Sequence, residues 1–323
     1  MPDETDKKDK ELNLVSIRGT KCFVHHYTIS IPSRGAANGG GSRHPKALIV
    51  LYHGFLAHGA YPTVRYAAEF FARAGYAVVA IDFPGHGKSE GLRGYLKSAD
   101  DLVEDGIAMA EYAQSLYYSG DDENNNNNLP LVLCGSSMGG AIALSVAHRL
   151  SQIHDEKDTS TDPPFVAPLV ILLAPMLKLN VSSLERAALQ CLSFVAPTAQ
   201  LIPSSATDSS KQYRDEKKRR ECEEDPLLAA PGTKLCVSSA LACVDTTLKI
   251  SKAFESIANP YLLLIADEDV VVKNEGSEEF HRKSASQDKT KNNYPALHGL
   301  LCEPSPLFDE IKSDVLDWLD KRI

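Results

Sequence analysis

The sequence predicts an α/β fold: a mostly parallel central sheet with helices on both faces and a helical cap inserted over one end. Three observations carry this. Short, nearly continuous apolar runs (Ala47–Tyr52, Ala77–Asp82, Leu129–Cys134, Val166–Leu173 and Tyr261–Ala266) alternate with helix-length segments, the pattern of strands buried on both sides. Gly135-Ser136-Ser137-Met138-Gly139 stands between one of these runs and a small-residue helix, so the chain turns sharply from strand to helix at Ser137. From about Leu177 to Ala258 the alternation stops and the sequence reads as helical and irregular, with no obvious sheet strand. An insertion of that kind fits over the carboxyl ends of the strands, where open α/β sheets bind ligands.

Taken in order, residues 1–13 are a charged tail expected to be disordered. Leu14–Ile17 and Lys21–Ile31 read as a hairpin around Arg18-Gly19-Thr20, followed by a Gly/Ser-rich loop over 33–44. Strand Ala47–Tyr52 leads to a helix, Thr63–Ala74, that Gly75 stops; strand Ala77–Asp82 leads to a long helix, Asp100–Tyr118, with Ser98 and Asp100 as candidate N-caps. The polar stretches Asn124–Asn128 and Asp155–Pro164 flank the elbow strand and its helix, Gly139–Leu150, and read as solvated loops. The first part of the core thus spans 14–176, the cap 177–258 and the second part of the core 259–323, with helices expected at Ser277–Ser286 and Phe308–Lys321. In the cap, Leu184, Ala188, Cys191, Leu192 and Val195 form one helix face, expected to pack as cap core; resting on a lipid surface is its other use.

A serine hydroxyl is a weak nucleophile at neutral pH and needs a base, an orienting acid and an oxyanion hole. Ser137 is the candidate nucleophile. Gly135 and Gly139 are required because a side chain at either position would collide with a neighbouring strand or helix. His298, in a loop before the last helix, is the candidate base, and the acid should follow the strand Tyr261–Ala266, where Asp267 and Asp269 both stand. Met138 N–H, directly after the nucleophile, and Phe55 N–H, in the loop after Ala47–Tyr52, are the candidate oxyanion donors; each such donor is worth roughly 3 kcal/mol in comparable sites. His53 and His58 have neither helix-face spacing nor a third ligand nearby, so no metal is expected, and hydrogen bonding to loop backbone is the role assigned to them. The glycine loop Asp82–Gly91 lacks the first glycine of a phosphate cradle and reads as a rigid loop beneath the site.

With 323 residues and a net charge of −9, the composition argues against nucleic acid and against a strongly basic membrane-binding surface. The charged N-terminus lacks the apolar core of a signal peptide, and no apolar run has the length of a membrane span, so neither secretion nor an integral membrane location is expected. The seven cysteines have no metal-ligand or C-x-x-C spacing and read as free thiols of a reducing compartment, which points to the cytoplasm.

His53-Gly54 with His58, the Asp82-x-Pro84-Gly85-His86-Gly87-x-Ser89-x-Gly91 loop, Gly135-x-Ser137-Met138-Gly139-Gly140, and Tyr294-Pro295 ahead of His298 together span most of the chain. In these motifs the sequence resembles the monoacylglycerol lipase and lysophospholipase branch of the α/β-hydrolase (serine aminopeptidase-like) superfamily. Asp225-Pro226-Leu227 also resembles a cap turn of that branch. The resemblance implies the α/β-hydrolase fold, a cap over a hydrophobic acyl tunnel, no cofactor, and hydrolysis of a single-chain lipid ester. The branch carries its acid in a Gly-x-x-Asp register; Ala266-Asp267-Glu268-Asp269 matches with alanine in place of glycine, which puts the acid at Asp269 and leaves Asp267 as the alternative. The expected activity is hydrolysis of monoacylglycerol by a serine esterase, the cap touching membrane lipid. Within the class, lysophospholipase, small-ester carboxylesterase and acyltransferase remain alternatives; a ligand-binding relative without turnover is the alternative outside it. Oligomeric state is not legible in the sequence.

Overall fold

The computed structural model describes residues 13–27, 44–117, 129–156, 166–203, 208–228 and 233–323. The expected N-terminal tail up to residue 12, the loop at 33–43, the Asn124–Asn128 run and most of the second polar insertion lie outside the described residues. Asn13 is within them, and its carbonyl accepts a hydrogen bond from Val24 N.

Among the described residues the main sheet has eight strands: β1 (Leu14–Ile17), β2 (Thr20–Tyr27), β3 (Leu48–Tyr52), β4 (Ala77–Ile81), β5 (Leu131–Ser136), β6 (Leu169–Leu173), β9 (Tyr261–Ala266) and β10 (Lys289–Tyr294), in the spatial order β1-β2-β4-β3-β5-β6-β9-β10. The β1–β2 and β2–β4 pairs are antiparallel; every other pair is parallel. Helices α1 (Pro62–Arg73) and α8 (Leu307–Asp320) cover one face, where Phe70, Phe71, Ile311, Val315 and Trp318 pack. On the other face lie α2 (Ala99–Ser115), α3 (Met138–Glu156) and α7 (Asn274–Lys283), contributing Met109, Ile142, Val146 and Phe280. Burial on both faces is why β3, β4 and β9 consist of apolar residues throughout. Ser98 caps α2 as the sequence suggests, its hydroxyl accepting from Asp101 N.

Several elements differ from the sequence expectation: α3 runs on to Glu156, beyond the expected Leu150, β6 starts at Leu169 and not Val166, and two further differences have a clear cause. β10 was not anticipated, because Lys-Thr-Lys-Asn-Asn-Tyr has no apolar run; an edge strand needs its backbone ladder with β9 rather than two buried faces. Helix α7 begins and ends three residues earlier than the expected Ser277–Ser286, since Ser284 leaves the helix and donates its hydroxyl to Ile257 O.

Between β6 and β9 the chain leaves the sheet and forms α4 (Ser183–Val195), α5 (Glu216–Glu223) and α6 (Val237–Ala253), with a small antiparallel ribbon of β7 (Gln200–Ile202) and β8 (Leu235–Cys236) separate from the main sheet. Helix α6 packs inward, placing Ala242, Cys243 and Ile250 in the layer that holds α2 and α3. Helix α4 starts with a capping box between Ser182 and Glu185 and is tied to α6 by an ion pair, Arg186 Nε to Asp245 Oδ1 at 2.7 Å. It has no buried residue: Leu184 and Val195 are each 80% exposed and Phe194 92%. The expectation that this helix face forms cap core is therefore corrected; α4 meets α6 partly through a charged pair and turns apolar side chains to solvent.

Candidate active site

Strand β5 ends at Ser136 and helix α3 starts at Met138, so Ser137 alone makes the turn between them. Its φ is +55°, a left-handed conformation that costs a non-glycine residue about 1–3 kcal/mol. The neighbours hold it there. Ser137 N donates to Leu173 O at 3.1 Å, and Ser137 O accepts from Met176 N at 2.9 Å. A Cβ on Gly135 would stand 2.1 Å from Gly139 O, and one on Gly139 would stand 2.0 Å from Tyr52 O. The two glycines therefore set how closely α3 approaches β3 and β5, as the sequence reading required.

His298 follows β10, and its Nδ1–H donates to Asp269 Oδ2 at 2.6 Å. The other carboxylate oxygen of Asp269 accepts from Val271 N at 2.8 Å and Val272 N at 3.1 Å, so both oxygens are fixed in a side chain with no exposure. Asp267, the other acid weighed from the sequence, is exposed and accepts from Asn293 Nδ2 at 2.7 Å. With Nδ1 occupied by Asp269, Nε2 of His298 is left for proton transfer, and His298 and Ser137 line the same cleft. Phe55, Leu56, Tyr61, Tyr213, Leu228 and Val271 share its remaining wall with the polar Thr63, Ser209, Gln212 and Glu223, and its interior volume is about 60 Å³.

Met138 is the first residue of α3, so its N–H has no acceptor within the helix. Among the described residues no acceptor takes Phe55 N–H, in a loop turned by Leu56 at φ +63° and closed by Ala57 N to Gly54 O at 3.1 Å. This loop rests on the Asp82–Gly91 segment. His53 Nε2 accepts from Phe83 N at 2.9 Å, while its Nδ1–H donates to Gly54 O at 2.8 Å. His86 donates from Nδ1 to Pro84 O at 3.0 Å and packs its ring against Phe55 and His53. Burial drives both imidazoles toward the neutral form, His53 down to about 3 and His86 to about 4. Burial alone would raise Asp82, but the hydrogen bond and charge of His25, with further help from Lys88 N, hold it down at about 2.

One pairing has signals in the sequence that had not been connected: His58 Nε2–H donates to Asp225 Oδ2 at 2.8 Å, joining the oxyanion-side loop to the turn after α5. Among the described residues, His25, His58 and Asp82 lie close enough together to hold a metal ion. Their polar atoms already have partners: Asp82 Oδ1 takes Gly59 N and His25 Nε2, and His58 Nδ1 takes Ala60 N. The group is satisfied as a hydrogen-bonded scaffold. Glu303 had no sequence signal; it is 1% exposed and takes Arg214 Nε at 3.1 Å and Leu297 N at 2.7 Å.

A largely parallel sheet whose β5 runs into a serine elbow, with an acid after β9 and a histidine after β10, defines the α/β-hydrolase class. The chain belongs to the serine aminopeptidase S33 family, which it matches over residues 43–305. It is 28% identical to the monoglyceride lipase of Mus musculus over 284 residues, covering 86% of this chain and 84% of that one. Two solved structures share the fold. The Saccharomyces cerevisiae monoglyceride lipase, a soluble variant bound to a substrate analog, has a TM-score of 0.71 at 19% identity over 96% of this chain and 94% of its own. The Paleococcus ferrophilus monoacylglycerol lipase has a TM-score of 0.68 at 22% identity over 92% and 98%.

Two outcomes follow from the geometry. Gly139→Ala should lower the melting temperature by several degrees, because the new Cβ meets backbone rather than a movable side chain; an unchanged thermal midpoint would contradict the close approach. Acid should also destabilise the fold. An unfolded histidine takes a proton below its ordinary 6.5, whereas folded His53 and His86 resist until about 3 and 4. The unfolded chain therefore binds more protons in that window, and this contribution to stability is full above about pH 6.5 and declines as pH falls. Thermal unfolding followed from pH about 7 to about 4.5 should show a falling midpoint, less steep in His53→Gln.

Proposed function

We propose that this protein is a serine esterase that cleaves monoacylglycerol to fatty acid and glycerol, with Ser137, His298 and Asp269 as its catalytic triad. The observation that carries this is the Asp269–His298 hydrogen bond, with His298 and the serine elbow lining one cleft. The relation to the mouse lipase gives the substrate. Ser137 Oγ attacks the ester carbonyl as His298 Nε2 takes its proton. The oxyanion forms against Phe55 and Met138 N–H, and His298 returns the proton to the departing glycerol oxygen. Water activated by His298 then releases the acid from the acyl-serine. Asp269 keeps the imidazole in the tautomer with Nδ1–H and stabilises the imidazolium that forms.

The segment 177–258 acts in this reading as a cap, and the exposed Leu184, Phe194 and Val195 of α4 are its contact with a lipid surface. Among the described residues no helix is long and apolar enough to cross a membrane. In this reading the protein works in the cytoplasm as a peripheral enzyme.

Turnover of long-chain monoacylglycerol, lysophosphatidylcholine and p-nitrophenyl butyrate should rank the monoacylglycerol first. Ser137→Ala should lose at least about 10³-fold on all three with the fold intact. Asp269→Asn should cost 10²-fold or more and Asp267→Asn less than about threefold; the reverse order would move the acid to Asp267. Activity confined to the butyrate would remove the lipid assignment and keep the triad.

Replacing Leu184, Phe194 and Val195 together by serine should cut sedimentation with phosphatidylcholine vesicles and turnover of vesicle-borne substrate several-fold. Butyrate hydrolysis should stay within about twofold. Equal loss on both substrates would show a folding defect instead of lost docking.

A further inference from the structure

Cys222 and Cys302 are distant in sequence and adjacent in the fold. Cys222 lies in α5, on the segment between β6 and β9, and Cys302 ends the short turn Leu300–Cys302 that follows His298. Both are fully buried in one small cluster with Ala57, Tyr61 and Tyr213, and the two thiols are close enough to interact directly. Tyr61 and Tyr213 also line the cleft that holds Ser137, so the thiol pair sits immediately behind the cleft wall. The chemistry of the two sulfurs is unequal. Interaction with Cys302 and, secondarily, with the tyrosine hydroxyls lowers Cys222, while burial pushes Cys302 well up. Cys22 and Cys243, buried elsewhere, are pushed up to about 12. Two thiols packed against each other across two segments are placed for a sulfenic acid formed on one to be resolved by the other.

The two cysteines join parts of the molecule that are already docked by polar contacts. Gly299 N donates to Gln212 O at 2.9 Å, and Lys218 Nζ to Glu303 O at 2.7 Å. The cleft between them has an interior of about 60 Å³, against roughly 300–1,000 Å³ for a pocket that encloses a small molecule. The α5 segment, through Gln212, Tyr213 and Glu223, and the histidine loop, through His298 and Gly299, form two of its walls.

We propose that Cys222 and Cys302 form a reversible disulfide latch, closed by a hydroperoxide, that ties α5 to the histidine loop and keeps the cleft too narrow for a lipid substrate. The Cys222 thiolate attacks one peroxide oxygen and the O–O bond breaks, leaving a sulfenic acid on Cys222 and releasing water or an alcohol. Cys302 sulfur then attacks Cys222 sulfur; its proton and the sulfenic hydroxyl leave as water. Two thiols lose two electrons and the hydroperoxide gains them. A dithiol reductant reverses the step. The regulatory consequence rests on the esterase reading above; the bond itself does not.

The test treats the full chain with hydrogen peroxide, maps disulfides by peptide mass, and follows hydrogen exchange over 208–228 and 297–303, with exposed Cys191 as the internal sign that oxidant acted. The expected result is a Cys222–Cys302 linked peptide that dithiothreitol removes. Exchange in both segments should slow. Long-chain monoacylglycerol turnover should fall at least about tenfold while butyrate hydrolysis stays within about twofold, and Cys222→Ala and Cys302→Ala should each abolish the response. The latch is overturned if both thiols stay reduced at doses that modify Cys191. It is equally overturned if the linked protein shows unchanged exchange or cleaves lipid at the reduced rate. A reduced protein that cleaves no monoacylglycerol would count against the esterase reading alone, and the linked peptide and the exchange rates would still decide the latch.

Discussion

The close approach of helix α3 to the ends of β3 and β5 is the contact on which the site depends. It exists because Gly135 and Gly139 carry no side chain where Gly139 O and Tyr52 O pass. That approach forces the turn between strand and helix into a single residue, and the single residue is Ser137 at φ +55°. Burial of Ala141, Ile142, Leu144 and Val146 along α3 holds the helix in place and offsets the strained turn. The same packing brings Met138 N–H to the helix start beside the serine. The proposed nucleophile and one proposed oxyanion donor are therefore products of one contact, and neither can be placed without the other.

The opposite wall is set by buried polar groups. Asp82 has no exposed surface, yet it accepts from Gly59 N at 2.6 Å, Lys88 N at 2.8 Å and His25 Nε2 at 2.9 Å. An acceptor so fully used in low dielectric is expensive to displace. His53 and His86 remain uncharged around it, so the loop bearing Phe55 is shaped by directional hydrogen bonds and not by charge. The four histidines near this loop act through geometry, and His298 is the one that lines the cleft with Ser137.

What could be read from the sequence followed from how local each determinant is. The elbow, the buried strands and the N-cap at Ser98 are local in sequence, and they were legible. Asp269 could be separated from Asp267 only by register, since the carboxylate that reaches His298 is chosen by how the turn after β9 folds back. Strand β10 was missed because Lys289–Tyr294 carries its pairing in backbone hydrogen bonds and not in apolar side chains. The His58–Asp225 bond joins residues 167 positions apart, and no local pattern encodes such a pair. The α4 face was assigned the wrong surroundings for the same reason: periodicity shows that an apolar stripe exists and is silent about what lies against it.

The 208–228 segment joins the rest through a small buried cluster, Tyr213 and Cys222 against Ala57, Tyr61 and Cys302, ringed by polar contacts, whereas helix α4 is apolar on its outside. Arg214 and Lys218 reach Glu303, and Asp225 reaches His58. An apolar seam opens at a cost that grows with every square ångström exposed. The ion pairs and hydrogen bonds of this seam can exchange their partners for water as it opens, so the cost lies in the small buried cluster and in deeply buried groups such as Glu303. The reverse holds for α4, where Leu184, Phe194 and Val195 gain by leaving water. A lipid surface beneath α4 would thus hold the segment from outside while its inner contacts re-form with water. In the proposed reading, this distribution of polarity lets the polar ring of the seam yield while the apolar outside of α4 rests on lipid.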